Sequence, residues 1–110
     1  MVNYNITELN TTFAALADPT RRDMIGRLAR HGEMTVSALA QPFRMSLPAV
    51  MKHIRVLVDA GLIRRQKRGR SVHCSLANEA LLSAADWLQH YDQFWTESLD
   101  RLEVHLEDDK

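Results

Sequence analysis

The stretch that decides the fold is MTVSALAQPFRMSLPAVMKHIRVLVDAGLI, residues 34–63. Thr35 and Ser46 can each cap a helix, because their hydroxyl oxygens can accept hydrogen bonds from the free N–H groups of a first turn. Apolar side chains follow each cap at helical spacing: Val36, Leu39 and Phe43 after the first, and Val50, Ile54, Leu57 and Val58 after the second. Gly61 supplies a stop. Residues 35–60 are therefore predicted to form a helix-turn-helix, whose second helix can enter a DNA major groove.

After Gly61 the hydrophobic pattern changes to the period of a β-strand. Val72, Cys74 and Leu76 alternate with polar residues, and Gly69 can form the tight turn that precedes them. We therefore predict a β-hairpin over residues 62–77, named the wing. Its tip, Lys67-Arg68-Gly69-Arg70, carries three cations beyond the body of the domain.

Two further helices are predicted before the helix-turn-helix. Leu9, Phe13 and Leu16 fall on one face of a first helix within residues 1–17. Asp18-Pro19 is a typical helix start, and a glycine at position 32 can end the second helix.

Residues 78–107 contain neither proline nor glycine, and we predict that they form one long helix. Its apolar residues recur with a period near 3.6 at Ala84, Leu88, Tyr91, Trp95, Leu99, Leu102 and Leu106. One small domain cannot easily bury so long a seam, so a partner helix is implied. The alternative is a seam that packs only on its own domain.

The formal net charge of the 110-residue chain is zero, yet the charges are segregated along it. Residues 44–73 contain eight Lys and Arg against Asp59 alone, a net charge of +7, whereas residues 74–110 have a net charge of −7. Salt screens charges beyond roughly 10 Å, so a polyanion responds to the local basic patch. Nucleic acid is therefore a candidate partner, and a merely solvated surface is the alternative.

Length and composition exclude several classes of protein. The length suits a single domain over residues 1–110. Cys74 is the only cysteine, which excludes an intrachain disulfide and a zinc site built from several thiolates. His73 points to the opposite face of the strand, so no Cys/His nucleophile pair forms and we do not expect an enzyme. Without an apolar run of about 18 residues or a signal peptide, we expect a cytoplasmic protein with no membrane association.

These segments, in this order, resemble the ArsR/SmtB winged-helix repressors. The resemblance is carried by ALADPTRRDMIGRL (15–28), MTVSALAQPF (34–43), MSLPAVMKHIRVLVDAGLI (45–63) and RRQKRGRSVHCSL (64–76). It implies a mainly α winged helix-turn-helix fold with a small β-hairpin, made of four helices, the wing and a long fifth helix. It also implies a homodimeric repressor, of a nearby operon or its own, that binds an inverted repeat in double-stranded DNA.

The resemblance further implies which residues act. Carried over by position, the second helix of the helix-turn-helix would contact DNA through Ser46, Leu47, Pro48, Ala49, Met51, Lys52, His53 and Arg55. The wing would do so through Arg65, Lys67, Arg68 and Arg70. The first and last helices would build the dimer through Leu9, Phe13, Leu88, Tyr91, Trp95, Leu99, Leu102 and Leu106.

The metal sites of the family are not preserved in this sequence. The helix over residues 35–43 has no cysteine, so the thiolate site is lost. In the Asp-x-His pattern that starts at Asp86, the ligand positions fall on Leu88, Leu99 and Leu102. We therefore predict no metal and no other cofactor. A loose set remains, more typical of a solvated surface, at Asp86, His90, His105 and Asp108.

Two features leave alternatives open. Trp87, Tyr91, Phe94 and Trp95 form an aromatic cluster that either packs in the dimer or lines a pocket for a small apolar effector. Cys74, in phase with the apolar residues of its strand, behaves as a small apolar side chain, and a redox switch is the alternative. The alternative function is a protein-interaction module that works through the last helix.

Overall fold

The computed structural model describes residues 5–90 and 96–103. Its elements, in chain order, are α1 (Ile6–Leu16), α2 (Pro19–His31), β1 (Met34–Thr35), α3 (Val36–Ala40), α4 (Leu47–Asp59), β2 (Ile63–Arg68), β3 (Ser71–Leu76) and α5 (Asn78–His90). Residues 96–103 are also helical. Helices α3 and α4 form the helix-turn-helix, and β2 and β3 form the wing. The prediction of a mainly α fold with a small β-hairpin is confirmed.

Helices α2, α3 and α4 begin at the predicted capping residues, and α1 begins after a cap that was not predicted, Asn5. The Asp18 carboxylate accepts from the Arg21 N–H at 3.0 Å, and the Thr35 hydroxyl accepts from the Ala38 N–H at 3.1 Å. Ser46 Oγ accepts from the Ala49 N–H at 3.3 Å and starts α4. These side chains satisfy N–H groups that have no partner within their own helix, so the helix starts are set locally.

The sheet has one strand more than the sequence predicted. Its strand order is β1-β3-β2, and β1 pairs antiparallel with β3 through Met34 opposite Cys74 and Thr35 opposite His73. A two-residue strand is too short to show an alternating pattern, and its partner lies about forty residues away. Gly69, with φ +61°, begins the two-residue turn that joins β2 to β3.

The core lies between α2, the helix-turn-helix and the sheet. The largest fully buried side chains are Met24, Leu28, Leu39, Val50, Ile54, Leu57, Leu62 and Cys74. Three of them come from α4, at positions 50, 54 and 57, so this helix is held along one face. Helix α3 ends at Ala40, earlier than the sequence pattern suggested, and Phe43 is half-buried beyond its end.

Helix α5 packs its inner face on α1. Ala84 is buried, and the Trp87 ring meets the Phe13 ring edge-on, with 5.7 Å between ring centroids and an interplanar angle of 62°. Ala84, predicted in the partner-facing seam, is thus covered by its own domain. Whether one helix runs through 78–107 stays a prediction, because 91–95 lie outside the described residues. Within the described ranges, no helix is long and apolar enough to cross a membrane.

Candidate nucleic-acid interface

The outer side of α4 and the residues around its start are accessible. Ser46, Leu47, Pro48, Lys52 and Arg55 are exposed, whereas Ala49, Met51 and His53 are half-buried. Leu47, the first residue of α4, exposes 59% of its surface. Met51 packs partly against the core. Because Val50, Ile54 and Leu57 hold the inner face, the accessible side chains at the start of α4 project away from the core.

The wing divides its cations between two faces. Paired residues on neighbouring antiparallel strands point to the same side of a sheet. Arg65 is opposite Cys74 and Lys67 is opposite Val72, on the side that also carries the buried Ile63. The other face carries Arg64, Gln66 and Arg68. The alternation of β2 thus places Arg65 and Lys67 on one face of the wing and Arg64 and Arg68 on the other.

The arginines on the second face already have partners. Arg64 donates to the Glu79 carboxylate at 3.3 Å, and Arg68 donates to Glu33 at 2.8 Å and to Gln66 at 3.0 Å. His73 lies on the same face, with its Nδ1 3.7 Å from the Glu33 carboxylate. Arg68, a predicted DNA contact, must therefore leave Glu33 before it can reach a phosphate.

Six of the eight basic residues between positions 44 and 73 form no ion pair with a carboxylate in the part of the chain that the structure describes. They are exposed, and we call them the unpaired basic surface: Arg44, Lys52, Arg55, Arg65, Lys67 and Arg70. Helix α4 packs directly against β2, so the two elements that carry most of these residues are neighbours. Uncompensated cations on adjacent elements attract phosphate groups.

His53 is held at the inner edge of this surface by two residues of the α2 start. Arg21 Nη1 lies 3.2 Å from His53 Nδ1, and the Asp18 carboxylate lies 3.9 Å from the same nitrogen. Arg21 also donates from Nε to the Ala15 carbonyl at 2.7 Å and from Nη2 to the Ala14 carbonyl at 3.3 Å. The hydrogen bond from the Arg21 N–H lowers the pKa of Asp18, although partial burial opposes this, so the carboxylate stays ionised.

Sequence reasoning did not single out Arg21. Its position in the first turn of α2 was visible, but His53 is 32 residues further along the chain. The one available signal was the arginine pair that follows Asp18-Pro19, close to the expected end of α1.

Cys74 is completely buried in β3. Burial raises the pKa of its thiol, with a smaller opposing effect from the Arg65 charge. A protonated, inaccessible thiol reacts poorly with oxidants, so the arrangement favours the structural interpretation over the redox switch.

A groove of about 380 Å³ lies between α1, the end of α4 and α5. It is lined by Thr7, Glu8, Leu9, Thr11, Thr12, Asp59, Ala60, Gly61, Glu79, Ala80 and Ser83. Among the described residues its lining has three carboxylates and no aromatic ring, so it differs from the aromatic effector pocket considered from the sequence. Of that cluster only Trp87 is described, since Tyr91, Phe94 and Trp95 lie outside the described residues.

The metal prediction can be compared with the structure only in part. Within residues 5–90 and 96–103, no three His, Cys, Asp or Glu side chains are grouped so that they could hold a metal ion. His105 and Asp108 lie outside the described residues, so the absence of a metal stays a prediction.

The predicted dimer residues fall into three groups. Leu88, Leu99 and Leu102 are exposed by half or more, whereas Leu9 is buried within its own chain and Phe13 is half-buried against Trp87. Tyr91, Trp95 and Leu106 lie outside the described residues. Two further exposed apolar residues, on α1 and α5, were not predicted: Ile6 and Leu82.

Comparisons with known proteins agree with this architecture. Residues 16–66 match the model of a helix-turn-helix domain family. The chain is 30% identical over 83 residues to the transcriptional repressor SdpR of Bacillus subtilis, covering 76% of this chain and 91% of that protein.

Solved structures agree as well. The crystal structure of an ArsR family transcriptional regulator is 47% identical, with a TM-score of 0.79 over 87% of this chain and 97% of that one. A homodimeric winged helix-turn-helix DNA-binding domain from Mycobacterium bovis, 23% identical, shares the fold with a TM-score of 0.62 over 84% of this chain and 93% of that one. Taken with the caps, the wing and the unpaired basic surface, these likenesses establish that the chain belongs to the ArsR/SmtB family of winged helix-turn-helix proteins, which are DNA-binding transcriptional regulators and not enzymes.

Proposed function

We propose that this protein is a homodimeric repressor that binds an inverted-repeat operator without a metal or other cofactor. The observation that carries the proposal is the unpaired basic surface, because six cations with no carboxylate partner in residues 5–90 and 96–103 lie on or beside the helix-turn-helix and the wing. Release of condensed counterions from DNA would then supply most of the sequence-independent affinity.

The start of α4 would read the major groove. Lys52 and Arg55 are three residues apart on a helix, so they share a face from which they can reach phosphates or the acceptor edge of guanine. Leu47 offers an exposed apolar side chain suited to a thymine methyl group. The remaining contacts of this helix would come from the small or half-buried residues around its cap: Ser46, Pro48, Ala49 and Met51.

The wing would bind the flanking DNA through one of its two faces. Arg65 and Lys67 share a face and have no carboxylate partner within the described residues, so they can engage phosphates without first breaking an ion pair. Arg70, in the turn, would reach furthest from the domain. Arg68 would join only by exchanging Glu33 for phosphate.

The dimer would form through the last helical residues together with α1 and α5. Leu99 and Leu102 are three residues apart on one face and stay more than half exposed in the single chain. A solved winged helix-turn-helix domain of the same fold is homodimeric, which is consistent with a dimer here. Two recognition helices would then meet major grooves about one helical turn apart.

The dimer is tested by sedimentation of L99E/L102E. We expect its mass to fall to the 12.6 kDa of one chain, whereas L47E, which places the same charge on an exposed leucine of α4, keeps the dimer mass. A double variant that sediments like the wild type contradicts the proposed interface.

The whole proposal is tested by selection from random double-stranded DNA, with and without a chelator. We expect an enriched inverted repeat with half-sites about one helical turn apart, in both conditions. K52A/R55A should lose the enrichment and keep the dimer mass, while R22A/R30A, which removes two exposed cations of α2, should retain it. Enrichment that disappears with chelator refutes metal independence, and no enriched motif in either condition favours the protein-interaction alternative.

A further inference from the structure

We propose that Arg21 is a positioning residue that sets the orientation of the recognition helix α4 relative to α1 by holding His53. This inference rests on the proposed function, since it gives Arg21 a role in reading DNA. His53 accordingly acts through its ring contact with Arg21 instead of serving as a base contact.

Each guanidinium nitrogen of Arg21 has a partner within the chain. Nε and Nη2 donate to the Ala15 and Ala14 carbonyls in the last turn of α1, and Nη1 contacts His53 Nδ1. Carbonyls at a helix end lack partners within their own helix and attract cations. Arg21 is therefore engaged inside the domain and is poorly placed to serve as a phosphate contact.

The chemistry of the His53 contact fixes its direction. A guanidinium can only donate hydrogen bonds, so His53 Nδ1 must accept and the ring proton must reside on Nε2. A protonated ring could no longer accept from Arg21, and its nearest carboxylate is Asp18, 3.9 Å from Nδ1. Two groups at the start of α2 thus face His53, the Arg21 guanidinium and the Asp18 carboxylate, and the Arg21 contact links α4 to the end of α1.

The contact joins two elements with different proposed roles. Helix α1 packs on α5 through Phe13 and Trp87 within one chain, and both helices are assigned to the dimer, while α4 carries the side chains proposed to contact the bases. The tilt of α4 against α1 therefore determines where the two recognition helices of a dimer lie relative to each other. Loss of the Arg21 contact should weaken binding to a specific site with defined half-site spacing more than binding to arbitrary DNA.

Arg22 provides a matched control. It is the next residue, it is exposed, and it donates to the Leu16 carbonyl at 2.8 Å, yet the structure shows no contact from it to α4 among the described residues. R22Q and R21Q remove the same charge from the same helix turn. Only R21Q removes the link to His53.

The experiment measures the ratio of affinities for the selected inverted repeat and for an arbitrary duplex of equal length. R21Q and H53A should each lower this ratio about tenfold, the value expected for one hydrogen bond to a charged group. The double variant R21Q/H53A should also lower the ratio about tenfold and no further, because both substitutions break the same Arg21–His53 contact. R22Q should stay within about twofold, and H53N, which keeps an acceptor near the position of Nδ1, should recover most of the loss.

Several outcomes overturn the inference. A double variant that loses about a hundredfold means that the two residues act independently. Equal losses for specific and arbitrary DNA in R21Q, or equal effects of R21Q and R22Q, mean that only charge matters. If R21Q does not fold by circular dichroism, the comparison of H53A with H53N decides alone. A wild-type protein that selects no DNA sequence overturns the proposed function itself, whereas wild-type selection with an unaffected R21Q overturns this inference only.

Discussion

Arg64 and Arg65 are adjacent residues of β2 that should respond differently to the same substitution. Both are exposed, but Arg65 has no carboxylate partner in the described structure, whereas Arg64 points to the other face and lies 3.3 Å from Glu79. We expect R65Q to reduce the salt dependence of operator binding and R64Q to leave it nearly unchanged. The two variants have equal net charge, so any difference between them reports the position of the charge.

The magnitude follows from the size of the unpaired basic surface. Six cations per protomer, hence twelve per dimer, predict a slope of log affinity against log salt of about −11, from about −0.9 per neutralised phosphate. R65Q removes two contacts per dimer and should give a slope of about −9. Between about 0.1 and 0.2 M NaCl the affinity should thus fall about 1,800-fold for the wild type and about 500-fold for R65Q.

Fluorescence anisotropy with a labelled operator, titrated from about 0.1 to 0.4 M NaCl, measures these slopes over the range where counterion release dominates. Sedimentation of each variant confirms that the dimer mass is unchanged. Equal slopes for R64Q and R65Q would refute the assignment of one wing face to DNA. A wild-type slope shallower than about −5 would mean that most of the unpaired basic surface does not meet phosphates.

Three further outcomes are expected. L57A, at a completely buried position, should lower the free energy of unfolding by about 2–5 kcal/mol. L47A, at an exposed position of the same helix, should change the free energy of unfolding by less than about 0.5 kcal/mol and should instead weaken operator binding. Urea titrations that give similar losses of stability for both variants would contradict the assigned faces of α4. The hydrogen bond from the Arg21 N–H lowers the pKa of Asp18 in the folded protein. The ionised Asp18 carboxylate therefore stabilises the fold at pH values above the pKa that Asp18 has in the unfolded chain, and this stabilisation is lost as the pH falls through the pKa of Asp18 in the folded protein. D18N keeps a side chain that can cap α2, so the difference in unfolding free energy between the wild type and D18N should shrink from neutral to acidic pH. A difference that does not change with pH would show that the charge of Asp18 does not stabilise the fold. Cys74, whose pKa burial raises, should react with a disulfide reagent at about pH 8 at least roughly 100-fold more slowly in the native protein than in urea, and comparable rates would show an accessible thiol.

The local features of this fold were predictable because they depend on neighbouring residues. The caps at Asp18, Thr35 and Ser46 are hydrogen bonds that span three positions, so a short stretch of sequence contains both partners. The alternation in the wing predicted the buried side of Cys74. Strand β1 escaped prediction because two residues show no period, and its pairing depends on β3.

The sequence predicted which region would contain the candidate site, but not which of its basic side chains would be left without carboxylate partners. Charge counting located the basic segment 44–73, and the helical period separated Lys52 and Arg55 from the buried residues of α4. The sequence could not show that Arg68 is paired with Glu33, 35 residues away, or that Arg65 has no carboxylate partner within the described residues. Pairing depends on strand register and on the position of β1, which are properties of the folded chain.

The sequence by itself determined the order of the helices, the helix-turn-helix and the basic wing, because capping and hydrophobic period act over three to eight residues. The tertiary structure decided which cations remain unpaired and that Arg21 joins the end of α1 to His53, across 32 residues of chain. The physical reason is that an ion pair or hydrogen bond between distant residues forms only where packing of the core has already brought their elements together.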